Sequence, residues 1–303
     1  VDPELAAQLT LIPPLPFEDL ESTRKAFADA FDPLAEGEHG SVRVTVATMR
    51  TSDGTDLPLR IFTPTTGRPR KAVVLDIHGG GFAIGSAAMD DPLNLAIARE
   101  VDAVVVAVDY RLAPEHPYPT PAEDCYRALQ WIVENADALG VDTTRLGVHG
   151  DSAGGGLAVT VCLWARDRSG PQVRLQTLLE PELDDACDSA SMRAGAETPV
   201  WYRSNAVLSW RYYLSNGLVD EYAVPARFPD LAGLPAAYVT VNPVDPLRDE
   251  GIAFATRLAD AGVPVELRMW PGTYHGFDLV ESAEVSRRAG AALHDVMRRG
   301  LYG

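Results

Sequence analysis

Ser152 stands in Gly150-Asp-Ser-Ala-Gly154, between a short apolar run (Leu146–Gly150) and a glycine-rich apolar stretch that opens at Ala153. G-x-S-x-G on a strand–turn–helix is the arrangement that exposes a nucleophilic hydroxyl. The flanking glycines let a tight turn press against neighbouring backbone, and the helix start that follows favours negative charge at the oxygen. A serine hydroxyl is a weak nucleophile unless a base takes its proton and an acid orients that base. With this elbow the three residues follow the order serine, acid, histidine. Only His275 and His294 lie beyond Ser152. His294 falls inside a helical stretch, "GAALHDVMRR", whereas His275 sits in the glycine-flanked loop "WPGTYHGF" directly after a strand-like run, so His275 is the base. The acid should follow the preceding strand, where "AAYVTVNPVDPLRDEG" offers Asp245 and Asp249. Asp245 is nearer the strand end and is held extended by Pro246. Asp249 falls where the next helix begins and suits a cap.

A hydroxyl attacking a carbonyl also needs a place for the oxyanion. "DIHGGGFAIG" (Asp76–Gly85) follows an apolar strand, and its consecutive glycines let backbone N–H groups converge on one oxygen. A nucleotide loop is the competing use of such glycines, but neither the G-x-G-x-x-G nor the G-x-x-x-x-G-K spacing is met. An H-G-G-G loop upstream of G-x-S-x-G is the pairing found in enzymes that transfer acyl groups from esters.

The elements that must hold these residues alternate along the chain. "VRVTVATMR" and "DLPLRIFTP" alternate apolar and polar residues around "SDGTD", which predicts a hairpin. Six continuous apolar runs follow: Ala72–Ile77, Ala103–Val108, Leu146–Gly150, Leu175–Glu180, Ala236–Val241 and Val265–Trp270. Strands apolar on both faces belong in a parallel sheet covered by helices. Helices are predicted at Asp91–Glu100, Pro121–Leu139, Ala153–Arg166, Glu250–Ala261 and Ser282–Arg299. The result is an α/β fold with a mostly parallel, eight-stranded sheet. Two segments break the alternation. Residues 1–40 form an arm, and Leu183–Pro235 is too long for one crossover and rich in aromatics. Together they are expected to cap the sheet's carboxyl edge, with the insertion's covering part at about residues 183–225 of a catalytic domain spanning 41–303. Met192, Trp201, Leu208, Trp210 and Tyr213 are the candidate pocket wall.

Composition narrows the partners. The chain carries 26 Lys and Arg against 43 Asp and Glu, a net charge of −17, which disfavours nucleic acid and anionic membrane surfaces. Cys125, Cys162 and Cys187 form no C-x-x-C pair, which points to a reducing compartment, read as the cytoplasm. The histidines and cysteines form no zinc-type cluster, so no metal is expected, and the first residues resemble neither a signal peptide nor a membrane anchor.

"HGGGFAIGS", "DYRLAPEHPYPTPAEDC", "GDSAGGGLA", "DPLRDEG" and "PGTYHGF" together resemble the hormone-sensitive-lipase branch of the α/β-hydrolase superfamily, from about Leu57 to the C-terminus. "LLEPELDD", "TPVW" and "NAVLSWRYYL" are most similar to the heroin-esterase-like carboxylesterases of bacteria. The resemblance implies an α/β-hydrolase fold with a helical cap and a serine carboxylesterase for small, acetyl-type esters acting through an acyl-enzyme. By position it makes Ser152 the nucleophile, Asp245 the acid and His275 the base. Gly80, Gly81 and the N–H of Ala153 become the oxyanion donors, with His78 and Tyr110 in support. It implies no cofactor, a small-molecule ester as the partner, and leaves a homodimer open. Two other readings stand beside it: an amidase or peptidase using the same triad, and a non-catalytic small-molecule receptor on the same scaffold. Such receptors typically lack the histidine, and this chain keeps all three residues.

Overall fold

The structure, a computed structural model, describes residues 1–9 and 15–303. Its centre is one nine-stranded sheet. The arm carries α1 (Pro3–Ala6) and α2 (Leu20–Ala30), and the sheet begins with β1 (Gly37–His39), β2 (Val42–Arg50) and β3 (Asp56–Pro64). The chain then winds through β4 (Lys71–Ile77), α3 (Asp91–Ile97), β5 (Ala103–Val108), α4 (Thr120–Glu134), α5 (Ala136–Leu139), β6 (Val141–Asp151) and α6 (Ala153–Asp167). β7 (Leu175–Leu179), α7 (Ala190–Ala194), α8 (Arg203–Tyr213), β8 (Ala236–Val241), α9 (Arg248–Asp260), β9 (Val265–Met269) and α10 (Glu284–Tyr302) complete it.

β2 and β3 pair as the predicted antiparallel hairpin, with Arg50 opposite Asp56 at its closed end. All eight strands read from the sequence are present; the ninth, β1, is a three-residue edge strand too short to carry an alternation. The predicted helix over Pro121–Leu139 is divided at Asn135, whose side-chain amide donates to the Trp131 carbonyl and competes with the backbone ladder. The helix at Asp91 gives way after Ile97 to a wider π turn over Ala98–Asp102.

Strand order explains where a site can form. The sheet runs β1-β2-β3-β5-β4-β6-β7-β8-β9, so β4 connects outward to β5 on one side while β5 returns to β6 on the other. Loops leaving β4 and β6 therefore part in opposite directions, and a crevice opens at the carboxyl ends of these adjacent strands. The parallel register sets Asp76 beside His149 and Ile77 beside Gly150, which brings the Gly79–Gly81 loop level with Ser152. Both sheet faces are sealed. Leu129, Leu157, Val161 and Phe254 from α4, α6 and α9 pack with Val73, Leu75 and Val148 on one side. Ile97 before the π turn and Leu293, Val296 and Met297 of α10 pack with Val74, Val105 and Tyr238 on the other. A core this deep fixes the strand ends, and the loops that carry chemistry inherit that rigidity.

Candidate active site

Ser152 occupies the turn between β6 and α6 with φ 52° and ψ −119°, a conformation that L residues avoid. It is held there on both sides. Its N–H donates 2.9 Å to the Leu179 carbonyl of the next strand, and its carbonyl accepts from the Glu182 N–H, also at 2.9 Å. A β-carbon on Gly154 would fall inside contact distance of the Ile77 and His78 carbonyls, so the elbow and the glycine loop can meet only if that residue is glycine.

Three strand-end loops converge here. The Ser152 hydroxyl donates to His275 Nε2 at 2.9 Å, and His275 Nδ1–H donates to Asp245 Oδ2 at 3.0 Å. Asp245 is oriented by the Leu247 N–H, 2.9 Å from its other oxygen. The loops carrying Asp245 and His275 are tied by the Val244 N–H to the Thr273 carbonyl at 3.1 Å and by a parallel bridge between Val244 and Tyr274. Ser152, Asp245 and His275 are all buried. The alternatives fall elsewhere. Asp249 accepts from the Ser191 N–H at the start of α7, and His294 lies on α10.

The glycine loop lies against the elbow. The N–H groups of Gly80, Gly81 and Ala153 meet no protein acceptor among the described residues. Gly80 has φ +107°, and its carbonyl accepts from Ala83 and Ile84, which folds the loop back on itself. His78 stacks on Tyr110 with ring centres 4.2 Å apart, and the Tyr110 hydroxyl donates to the His78 carbonyl at 3.0 Å. That pair anchors the entry to the loop.

Of the five aromatic and apolar candidates, Trp201 stands against the site. Its ring faces His275 at 5.8 Å and meets Phe17 of the arm edge-on at 5.0 Å, both beside Gly81. Trp210 and Tyr213 pack on Phe82, one residue past the glycines, at 5.2 and 4.1 Å. Met192 is fully buried on α7. Leu208 faces away, into a surface cleft of about 490 Å³ shared with Glu18 and Arg203. Phe17 was not read from the sequence, since nothing in an arm of "PPLPF" marks one ring as facing a site 135 residues downstream in the chain. The Tyr202 and Tyr212 hydroxyls donate to the Leu15 and Phe17 carbonyls, which fastens the arm to α8.

Electrostatics around the imidazole are acidic. Burial pulls the His275 pKa down, but the fields of Asp245 and then Glu180, with the hydrogen bond to Asp245, outweigh it and the net shift is upward. Burial, with the carboxylate of Asp278 next, raises Asp151 to about 7. A cavity of about 810 Å³ adjoins the site through Asp151, Glu180 and Gly276 and runs between α3 and α10. Among the described residues, Glu180, Asp245 and His275 have ligand atoms close enough to one another (within 4.8 Å) to suit a metal. Both ring nitrogens of His275 are already engaged with protein groups, so the set does not present a free imidazole to an ion.

Residues 74–279 match the family described as alpha/beta hydrolase fold. The chain is 40% identical over 250 residues to the carboxylesterase NlhH of Mycobacterium tuberculosis, covering 79% of this chain and 78% of that one. It is 33% identical over 305 residues to ethyl acetate hydrolase of Pseudomonas putida, covering 94% and 95%. Among solved structures it superposes on bacterial heroin esterase with a TM-score of 0.94 at 43% identity, covering 100% of this chain and 98% of that one. No helix among the described residues is long and apolar enough to cross a membrane.

Proposed function

From the premise that this chain belongs to the alpha/beta hydrolase fold family, in its hormone-sensitive-lipase branch, and is an esterase, we propose that it hydrolyses short-acyl, acetyl-type carboxylic esters through an acyl-enzyme on Ser152. One observation carries the reading: the unbroken line of hydrogen bonds from the Ser152 hydroxyl through His275 to Asp245. In the proposed reaction His275 Nε2 takes the Ser152 proton as the oxygen attacks the ester carbonyl. Asp245 accepts from Nδ1–H throughout and stabilises the imidazolium without taking its proton. The N–H groups of Gly80, Gly81 and Ala153 hold the oxyanion, where the α6 dipole adds to them. The imidazolium returns its proton to the leaving alcohol, and water repeats the steps on the acyl-enzyme.

A preference for small acyl groups is supported by the tight approach of Phe17 and Trp201 to Gly81 and by a relative that acts on ethyl acetate. The arm and the β7–β8 insertion are read as one cap, since α8 is fastened to Leu15 and Phe17. Among the described residues β9 is an unpaired sheet edge with Leu267 and Met269 exposed, which supports pairing with a second copy. The three unpaired cysteines support a cytoplasmic location.

The test is Ser152→Ala, assayed on p-nitrophenyl esters from acetyl to decanoyl. The variant should fall to the background left by binding and the oxyanion donors, and the parent should be fastest on the shortest acyl groups. Parental turnover in Ser152→Ala overturns the mechanism, and a maximum at the long chains overturns the substrate reading.

A further inference from the structure

His275 has a second carboxylate beside its inner nitrogen. Glu180 Oε1 lies 3.8 Å from Nδ1, just outside the 3.0 Å bond to Asp245. This glutamate ends up there by construction. It follows the last residue of β7 at the carboxyl edge of the sheet, is 3% exposed, and adopts a positive φ of 39°. One of its oxygens accepts from the Gly276 N–H, the residue next to the histidine, and the other accepts from the Asn242 amide. Asn242 is itself fixed by the Thr273 hydroxyl, 2.8 Å from its carbonyl oxygen, and both are fully buried. Each oxygen accepts a hydrogen bond from a fixed N–H donor, an arrangement that suits a carboxylate. A buried glutamate held in a strained backbone by two dedicated donors costs stability. The nearest group that repays the cost is the imidazolium that forms during turnover.

We infer that Glu180 is a second positioning carboxylate for His275, sharing with Asp245 the work of holding the ring and stabilising its protonated form. The inference rests on the triad reading above. No proton passes to Glu180; Nδ1 keeps its proton, and the glutamate acts through its charge and through the Gly276 backbone. Its ionised form is favoured as His275 becomes charged, which times the support to the step that needs it. Burial holds the Glu180 carboxyl well above its ordinary range, and the imidazolium opposes that shift.

The test separates this role from packing. The acidic groups facing His275 are Asp245 after β8, Glu180 after β7, Asp151 at the end of β6, Asp278 in its own loop and Glu182 beyond Pro181. Glu180→Gln keeps the shape and removes one charge. The acidic limb of kcat/KM for p-nitrophenyl acetate should then move to lower pH by on the order of one unit, because the imidazolium loses an opposing charge within a few ångströms. Asp245→Ala vacates the nearer position, and Nδ1–H can turn to Glu180. Loss of a lone triad acid costs about 10⁴ in turnover. With Glu180 present the loss should be at least roughly tenfold smaller, and adding Glu180→Gln should remove that remainder. A Glu180→Gln profile that superimposes on the parent's overturns the inference, as does a double variant no slower than Asp245→Ala. Should Glu180→Gln fail to fold, Asn242→Leu removes one of the donors that keep Glu180 ionised, and its limb must also move down; an unmoved limb there overturns it too. Ser152→Ala run alongside tells the two readings apart: parental activity in that variant sinks the triad itself, whereas background activity with an unshifted limb sinks only Glu180.

Discussion

Gly80→Ala is the sharpest probe of the oxyanion assignment, because the structure supplies both of its effects. Gly80 sits at φ +107°, and a methyl there would press on the Ile84 carbonyl. That carbonyl belongs to a loop folded tightly by the Ala83 and Ile84 N–H groups, 3.1 and 3.0 Å from the Gly80 oxygen. The loop must shift to admit the methyl, and the Gly80 and Gly81 N–H groups shift with it. Backbone strain of this kind costs about 1–3 kcal/mol of stability. Misplacing one oxyanion donor costs about 10²–10³ in kcat, or roughly 3–4 kcal/mol of transition-state binding. KM should change little, because the donors match the tetrahedral oxygen better than the ground-state carbonyl. Thermal melting and steady-state hydrolysis of p-nitrophenyl acetate measure the two effects separately. Gly217→Ala is the control: φ is +76° and no atom of the described residues lies within 4 Å of the added methyl, so it should lose about 1–2 kcal/mol of stability and no kcat. A Gly80→Ala enzyme that melts below its parent yet keeps its kcat would show that the loop does not bind the oxyanion.

Two further outcomes follow from the geometry. His275 must be neutral to take a proton, and its pKa is raised above 6.5, so activity should be lost as pH falls through a midpoint above that value. A kcat/KM midpoint below 6.5 would contradict the acidic surroundings described for the ring. On the sheet edge, Met269→Arg should shift the protein toward monomer in sedimentation velocity by placing a like charge on both copies at a paired β9. A parent that sediments as a monomer at all concentrations refutes the pairing.

The fold was legible where hydrophobic period and turn chemistry agree. Buried central strands such as Ala103–Val108 are apolar on both faces, and the elbow is punctuated by glycines whose backbones must touch. β1 was not legible because three polar residues, Gly37–His39, are recruited only by the edge that β2 offers. The break at Asn135 was hidden for a similar reason: a single side-chain amide bonding back to Trp131 decides it, against a helical pattern on both sides.

The site divides along the same line. Ser152, Asp245 and His275, which the structure brings into one hydrogen-bonded line, could be singled out because chain order and strand ends restrict each to one or two candidates. Leu208 and Trp201 could not be told apart, since both are apolar residues on a segment whose helix faces depend on how it docks. Glu180 is the instructive case. Read along the chain it only terminates an apolar run before Pro181. In the sheet, β7 lies between the strands that deliver Ser152 and Asp245, so any side chain at its carboxyl end is delivered between those two residues. An apolar residue there would close the gap at no electrostatic cost. A carboxylate, with Asn242, Thr273 and Gly276 arranged to hold it, is matched by a neighbour that becomes positively charged, and in the proposed reaction His275 is that neighbour.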